Sequence, residues 1–588
     1  MIRKFGTLFL LFLTTVSGNR PLDFLKLKAE FIETGINWEA KPCDDFWSFA
    51  NGRRDIQQLK NLAVTFATQV LFTYNPKHND TSLELIRNQF LECQSDPLSF
   101  FNALQRENPE QEDEIMEFGS KIQDEKAVSD SETFRGLLAE AYRLLFRYGS
   151  VEFKDLSNDL YATDELKFPF EFEHSDTQYQ ASVIDLLTSF NDSYVDEFLA
   201  EVFGEYFDLT QLEKVSLPLP NSTEIPLRKK LLYDLSVAAW KTMDTPIYKN
   251  CADFIMKTYP AYYVKMLLDY LGAEYVATVE KVFQSDAALL MKTVRNQFAF
   301  GNVLNENMTE FLERRVSNNT FYGLQTPALL DPTFFTIFGQ VATEWPVQNK
   351  WINNLQPLIP AAYGKDTTYF WIPGLDDNAL HIPETQRTFV NVENLKHPLF
   401  HPWFPPVLRW SVASSVLGHE FGHDFGTDLA QMTQLDSAYE QIFDCLDGFY
   451  AGQCDPLDPG FCADPKNNLE ENFADVFGIQ MTYLAYKQDT AINGAGRRLQ
   501  GNFVEKLTDD QLFFVNFAQS IATFALWGEV PLEDPHAPGS LRLWGPLAGF
   551  PAFANAFNCP AGSRFNQPNG CKLYTDNIAP SHNLTDGV

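Results

Sequence analysis

Val416-Leu417-Gly418-His419-Glu420-Phe421-Gly422-His423-Asp424-Phe425 is the stretch on which the reading of this 588-residue chain turns. It contains His-Glu-x-x-His. Residues four apart share one face of a helix, so His419 and His423 can aim two imidazole nitrogens at one point, with Glu420 beside them. That is the pattern of a two-histidine zinc site with its general base. Catalytic zinc commonly takes three protein ligands and keeps a fourth position for water, so a third ligand must come from elsewhere in the chain.

The candidate lies about fifty residues on, in Asn467-Asn468-Leu469-Glu470-Glu471-Asn472-Phe473-Ala474-Asp475-Val476-Phe477-Gly478. Glu471 and Asp475 are again four apart, in a segment that runs on into apolar residues. Glu471 could complete the ligand set, and Asp475, one turn later, could accept the second ring N–H of a ligating histidine and fix its tautomer.

With these two motifs in order, the chain resembles the neprilysin and endothelin-converting-enzyme family of zinc metallopeptidases. Glu471-Asn472-Phe473-Ala474-Asp475 matches that family's second motif without a gap. Gln511 to Gln519 is similar to a helix of the family. Asp534-Pro535-His536-Ala537-Pro538-Gly539-Ser540-Leu541-Arg542 resembles the segment that supplies a catalytic histidine and a substrate-binding arginine. The resemblance implies one Zn2+ per chain on His419, His423 and Glu471, with Glu420 as base. It also implies that His536 stabilises the oxyanion and that Arg542 binds a backbone carbonyl of the peptide.

Three departures stand out. Relatives follow Phe425 with an acidic pair, whereas here Gly426-Thr427-Asp428 follows, with Asp428 as the candidate substitute. The family's edge-strand motif for the substrate backbone is not evident; Phe370-Trp371-Ile372 occupies its expected place and Val390-Asn391-Val392 is the alternative. Many relatives begin with a membrane anchor, whereas here a basic start (Arg3, Lys4) leads into the apolar run Phe5 to Val16 and the small residues Ser17-Gly18. That pattern predicts a cleavable signal peptide over residues 1–18, and a run so short falls well below the about 20 residues a membrane span needs.

Lys+Arg 45 against Asp+Glu 78 gives a net charge of −33, which repels nucleic acid and anionic membrane surfaces. The expected partners are oligopeptide substrates, with no nucleic acid and no stable membrane insertion. At 45% apolar residues, including 52 Phe, the chain can fill large cores. Asn79, Asn191, Asn221, Asn307, Asn318 and Asn583 open glycosylation sequons, which suits a secreted protein.

Eight cysteines in a secretory chain suggest four disulfides, with many connectivities open to sequence alone. The resemblance implies Cys43 with Cys559, Cys93 with Cys251 and Cys445 with Cys571, leaving Cys454 and Cys462 as a local pair. Relatives carry one more bridge, whose first member would sit at Asn51; its partner, expected near the helix after Phe517, is also missing.

Helical periodicity dominates from about Leu59 to Asn305, and prolines cluster with weaker periodicity from about Gln325 to Pro405. The zinc helix is expected to begin near Val407, with Trp410, Ala413 and Leu417 buried. Thr508-x-x-Gln511 reads as a capping box.

The implied architecture is mainly α with a small β component, in two domains. Residues 19–355 form a helical covering domain, whose part near 43–52 packs with the catalytic domain. Residues 356–588 form a thermolysin-like zinc domain, and the two enclose a central cavity that admits peptides rather than folded proteins. The expected activity is that of a secreted zinc endopeptidase cutting before hydrophobic residues. Two alternatives are a secreted peptide-binding protein that kept the fold and lost turnover, and an unrelated metallohydrolase sharing only His-Glu-x-x-His.

Overall fold

In the computed structural model, the described residues are 21–53, 56–75, 81–104, 109–130, 250–300, 306–330, 379–426, 437–524 and 535–571, apart from 384, 457 and 465, with scattered positions at 133–144, 228–232 and 573. They are mainly helical, with a small β component. The expected signal peptide, Phe370-Trp371-Ile372, Asp428 and the 355/356 boundary lie outside them. Among the described residues, no helix is long and apolar enough to cross a membrane.

The chain divides into two compact units. One gathers the described parts of Met1–Ala63, Leu271–Gln325 and Pro373–Val588; the other gathers those of Val64–Tyr270 and Thr326–Ile372. Residues 271–325, which the sequence division groups with the covering part, therefore pack with the zinc-motif elements.

In the second unit the helices Thr81–Ser95 and Cys251–Thr258 are stapled by Cys93–Cys251. Phe90, Phe118, Tyr259, Tyr262 and Tyr263 fill its core, and Tyr259 Oη donates to Gln89 Oε1 at 2.7 Å. These five aromatic residues are thus core rather than surface, whereas Phe72 is exposed.

The first unit holds helices α1 (Pro21–Gly35), α2 (Phe46–Asn51), α3 (Ala273–Phe300), α4 (Glu306–Asn318), α5 (Pro406–Trp410), α6 (Ala413–His423), α7 (Ser437–Tyr450), α8 (Leu469–Asn493), α9 (Asp509–Phe524), α10 (Gly539–Ala548) and α11 (Pro551–Phe557). Its strands are β1 (Thr320–Tyr322), β2 (Ala379–Ile382) and β3 (Arg387–Val390), in the order β1-β3-β2. β3 pairs parallel with β1 and antiparallel with β2. Val390-Asn391-Val392 lies at the end of the central strand, so it offers no free edge among the described strands.

The helix expected from Val407 is in fact two. Pro406 at the first helical position of α5 starts it without losing a needed N–H. The chain then breaks at Ser411-Val412, where Val412 has φ −130 and ψ −86, and α6 restarts at Ala413. Trp410, Ala413 and Leu417 are buried, as their spacing suggests. The break is held by polar groups. Trp410 Nε1 donates to Asp489 Oδ2 at 2.8 Å, and Arg409 bridges Asp489 at 2.7 Å and Asp286 at 3.3 Å. Burial pushes the Asp286 carboxyl up to about 7, against the pull of Arg409.

Two segments far apart in the chain meet in this unit. Cys43 is bonded to Cys559, and Phe46 beside it packs on Phe49, Phe553, Phe557 and Phe565. Where the resemblance places a further disulfide, hydrogen bonds stand instead. Asn51 Nδ2 donates to the Ala518 carbonyl at 3.1 Å, and Gln519 Nε2 to that of Ala50 at 2.9 Å. Thr508 and Gln511 exchange the two hydrogen bonds of a capping box at the start of α9. The other bridges are Cys445–Cys571 and Cys454–Cys462.

Candidate metal centre

The centre is made by α6 lying against α8, and small residues let the two backbones approach. A Cβ added to Gly418 would stand 2.6 Å from Thr482 Cγ2; one on Gly422 would stand 3.0 Å from Ala474 Cα. One on Gly478 would stand 2.7 Å from the His419 backbone nitrogen. Gly418 and Gly422 thus form one row, Ala474, Gly478 and Thr482 the facing row, each at helical spacing. This close crossing brings the first two turns of α8, with Glu471 and Asp475, against His419 and His423.

His419 Nε2 lies 3.1 Å from Glu471 Oε2, His423 Nε2 lies 3.7 Å from the same oxygen, and the two ring nitrogens are 3.3 Å apart. A tetrahedral zinc with bonds of about 2.0–2.1 Å needs ligand atoms roughly 3.3 Å apart. Among the described residues these three form the one group of this kind, their ligand atoms all within 4.8 Å of one another. Two imidazoles and a carboxylate are also the donor chemistry zinc takes.

Around this triangle the structure gathers the remaining candidates. His419 turns Nδ1 to Asp475 Oδ1 at 2.8 Å. Asp475 in turn accepts two hydrogen bonds from Arg542, Nε to Oδ2 at 2.9 Å and Nη2 to Oδ1 at 2.8 Å. Arg542 is thus placed against the centre through Asp475, with two of its N–H groups committed there. His536 Nε2 lies 3.0 Å from Glu471 Oε2, with its side chain about one-third exposed. Glu420 is buried on α6, and its charge is felt by His423 and Arg542.

The electrostatics are those of a negative cage around one point. Burial pulls the His419 imidazole down, yet Asp475 and Glu471 push it up to about 10. The field that favours a proton there also favours a metal cation at Nε2. Burial pushes Glu471 up, but hydrogen bonds from His419 and His536 and the charge of His423 hold it well below the ordinary carboxylate value. Burial likewise opposes ionisation of Asp475, and Arg542 beside it more than offsets this.

Three supports escaped the sequence reading. Asn468, just before α8, donates from Nδ2 to the Pro535 carbonyl at 2.8 Å and accepts the Asp464 N–H at 2.8 Å, anchoring the residue next to His536. Asp424, directly after His423, is buried and bound by Arg315 Nε at 3.1 Å, by Arg315 Nη2, and by Asn319 Nδ2 at 2.7 Å. His381 Nε2 of β2 lies 3.4 Å from the same carboxylate, so α4 and β2 both grip the end of α6. The third is Glu470, whose Oε1 lies 3.3 Å from His423 Nδ1. The signal for the helix crossing was present as small residues four apart; the other contacts depend on chain segments far apart in sequence.

The sequence profile of peptidase family M13 matches residues 378–573. This segment is a peptidase family M13 domain. It contains His419, Glu420, His423, Glu470, Glu471, Asp475, His536 and Arg542, whereas Arg315 and Asn319, which hold Asp424, lie before it; the family is zinc-dependent. Endothelin-converting enzyme 1 of Homo sapiens is 37% identical over 112 residues, 18% of this chain and 14% of that protein. Neprilysin-1 of Caenorhabditis elegans is 38% identical over 107 residues, again 18% and 14%. The alignments thus span about a seventh of these relatives' lengths, and they make the chain neprilysin-like in its M13 domain. Two solved structures share the wider fold. The Haemonchus galactose containing glycoprotein complex aligns over 92% of this chain and 97% of its own, with TM-score 0.55 and 16% identity. The Mycobacterium tuberculosis zinc metalloprotease ZMP1 aligns over 92% and 99%, with TM-score 0.53 and 13% identity.

Proposed function

We propose that this chain is a secreted zinc-dependent endopeptidase that hydrolyses oligopeptides, cutting on the amino side of hydrophobic residues. The observation that carries the reading is the convergence of His419, His423 and His536 nitrogens on one Glu471 oxygen, at 3.1, 3.7 and 3.0 Å. His419, His423 and Glu471 are the residues that would hold zinc. When bound, zinc supplies Lewis acidity, polarising the scissile carbonyl and lowering the pKa of water to about 7.

The chain's own groups do the rest. Glu420, one residue from a ligand and on the same helix, takes the proton of the attacking water and hands it to the leaving amine. His536, held beside Glu471, donates from its ring N–H to the oxyanion that develops on the carbonyl. Asp475 keeps the His419 proton on Nδ1 and so leaves Nε2 free to ligate. Arg542, oriented by Asp475, presents its guanidinium edge to a backbone carbonyl of the peptide.

The secreted location rests on four disulfides, bonds that persist in oxidising compartments. Of the sequon asparagines, Asn307 and Asn318 are exposed on α4; Asn79, Asn191, Asn221 and Asn583 lie outside the described residues. The hydrophobic preference rests on the neprilysin-like resemblance.

The test is cleavage of a mixed oligopeptide library by purified zinc-loaded protein beside Glu420→Gln. The expected result is cleavage by the wild type, before hydrophobic residues, with loss of turnover and unchanged zinc content in the variant. No cleavage by either zinc-loaded protein overturns the peptidase reading in favour of a peptide-binding protein that retains the metal.

A further inference from the structure

We infer that Glu470 is a positioning residue for the zinc ligand His423, and that Gly426 is free of a side chain so that the Glu470 carboxylate can occupy that space. The inference rests on the zinc reading above.

The two ring nitrogens of His423 face opposite ways. Nε2 points into the ligand triangle, 3.3 Å from His419 Nε2, while Nδ1 lies 3.3 Å from Glu470 Oε1. An imidazole that ligates through Nε2 carries its proton on Nδ1, and a carboxylate accepting that N–H fixes both tautomer and ring orientation. His419 receives this support from Asp475, and His423 receives it from Glu470. Both supports come from α8, on either side of the ligand Glu471. Two adjacent carboxylates therefore do different work, Glu471 at the front of both rings and Glu470 behind one.

The second observation is independent of the hydrogen bond. A Cβ at Gly426 would stand 1.7 Å from Glu470 Oε1, 2.3 Å from its Cδ and 2.4 Å from Oε2. The carboxylate thus lies where any larger residue at 426 would put its side chain. This is the position at which the sequence departs from the acidic pair of its relatives. An acid from α8, Glu470, 44 positions away in sequence, fills the space at this position.

The test is zinc affinity of the full chain by chelator competition, for Glu470→Ala, Glu470→Gln, Gly426→Ala and the double variant Gly426→Ala/Glu470→Ala. Losing a partner of a metal-bound histidine typically weakens metal binding about 10–100-fold, and that loss is expected for Glu470→Ala with no change in the melting temperature of the metal-free protein. Glu470→Gln, which keeps an acceptor oxygen, should lose less. Gly426→Ala should weaken zinc by displacing the carboxylate, and the double variant should be no weaker than Glu470→Ala alone. Wild-type affinity in Glu470→Ala, or independent additive losses from the two sites, overturns the inference while leaving the zinc reading intact. A wild-type chain that does not bind zinc overturns both.

Discussion

Asp475 holds two partners at once, the His419 ring at 2.8 Å and the Arg542 guanidinium at 2.8 and 2.9 Å. A buried carboxylate with both partners satisfied is rigid, and its rigidity passes to the imidazole that faces the metal position. His536 differs, being partly exposed and meeting the centre at the Glu471 carboxylate and, by ring stacking, at His419. Removing it should leave the ligand set whole and withdraw one donor from the transition state. His536→Ala is therefore expected to lose about 10²–10³ in kcat with normal zinc content. Undiminished kcat in steady-state assays would take His536 out of the mechanism. The sequence marked His419, His423 and Glu471 because helical spacing is a local property. It could not mark Asn468 or Arg315, whose partners Pro535 and Asp424 lie 67 and 109 positions away.

At the scale of elements, the centre depends on how closely α6 and α8 approach. Gly478 is the point least able to yield, since an added methyl would meet the His419 backbone rather than a side chain able to move aside. Gly478→Ala should cost about 1–3 kcal/mol through overpacking and should weaken zinc binding by shifting His419 away from Glu471. Gly448 in α7 is the control, because an added Cβ there meets nothing within 4 Å. Gly448→Ala should be neutral or stabilising by about 0.5–1 kcal/mol. Urea unfolding of both metal-free variants separates the cases; equal midpoints would mean that the crossing tolerates a methyl group. The division of the expected zinc helix into α5 and α6 belongs to this scale too. Helical periodicity runs through Val412, and only the buried Arg409, Trp410, Asp286 and Asp489 contacts show why the chain bends there.

For the whole molecule, the Cys43–Cys559 bridge spans 516 positions and closes the first unit on its aromatic cluster. Removing a native disulfide typically costs about 2–5 kcal/mol. Cys43→Ser/Cys559→Ser should fall in that range by denaturant midpoint while zinc affinity stays near the wild type, because the bridge lies among Phe46, Phe553 and Phe565 rather than at the histidines. An unchanged midpoint would show that hydrogen bonds such as Asn51 to Ala518 already hold that end of the unit. The division of the chain into units is also decided at this scale. Leu271–Gln325 joins the zinc-motif elements because α3 and α4 carry Asp286 and Arg315, which pair with Arg409 and with Asp424.

What the sequence determined by itself was whatever is written at short range. Two motifs with residues four apart define two helical faces and a zinc-type donor set. An acidic, phenylalanine-rich composition and an even cysteine count point away from nucleic acid and toward an oxidised, well-packed protein. Tertiary structure alone decided which carboxylate stands behind His423, what anchors His536, and which distant helices grip the zinc helix. These contacts arise when segments tens to hundreds of residues apart are packed together, and their geometry follows from steric fit and burial, which no local period records.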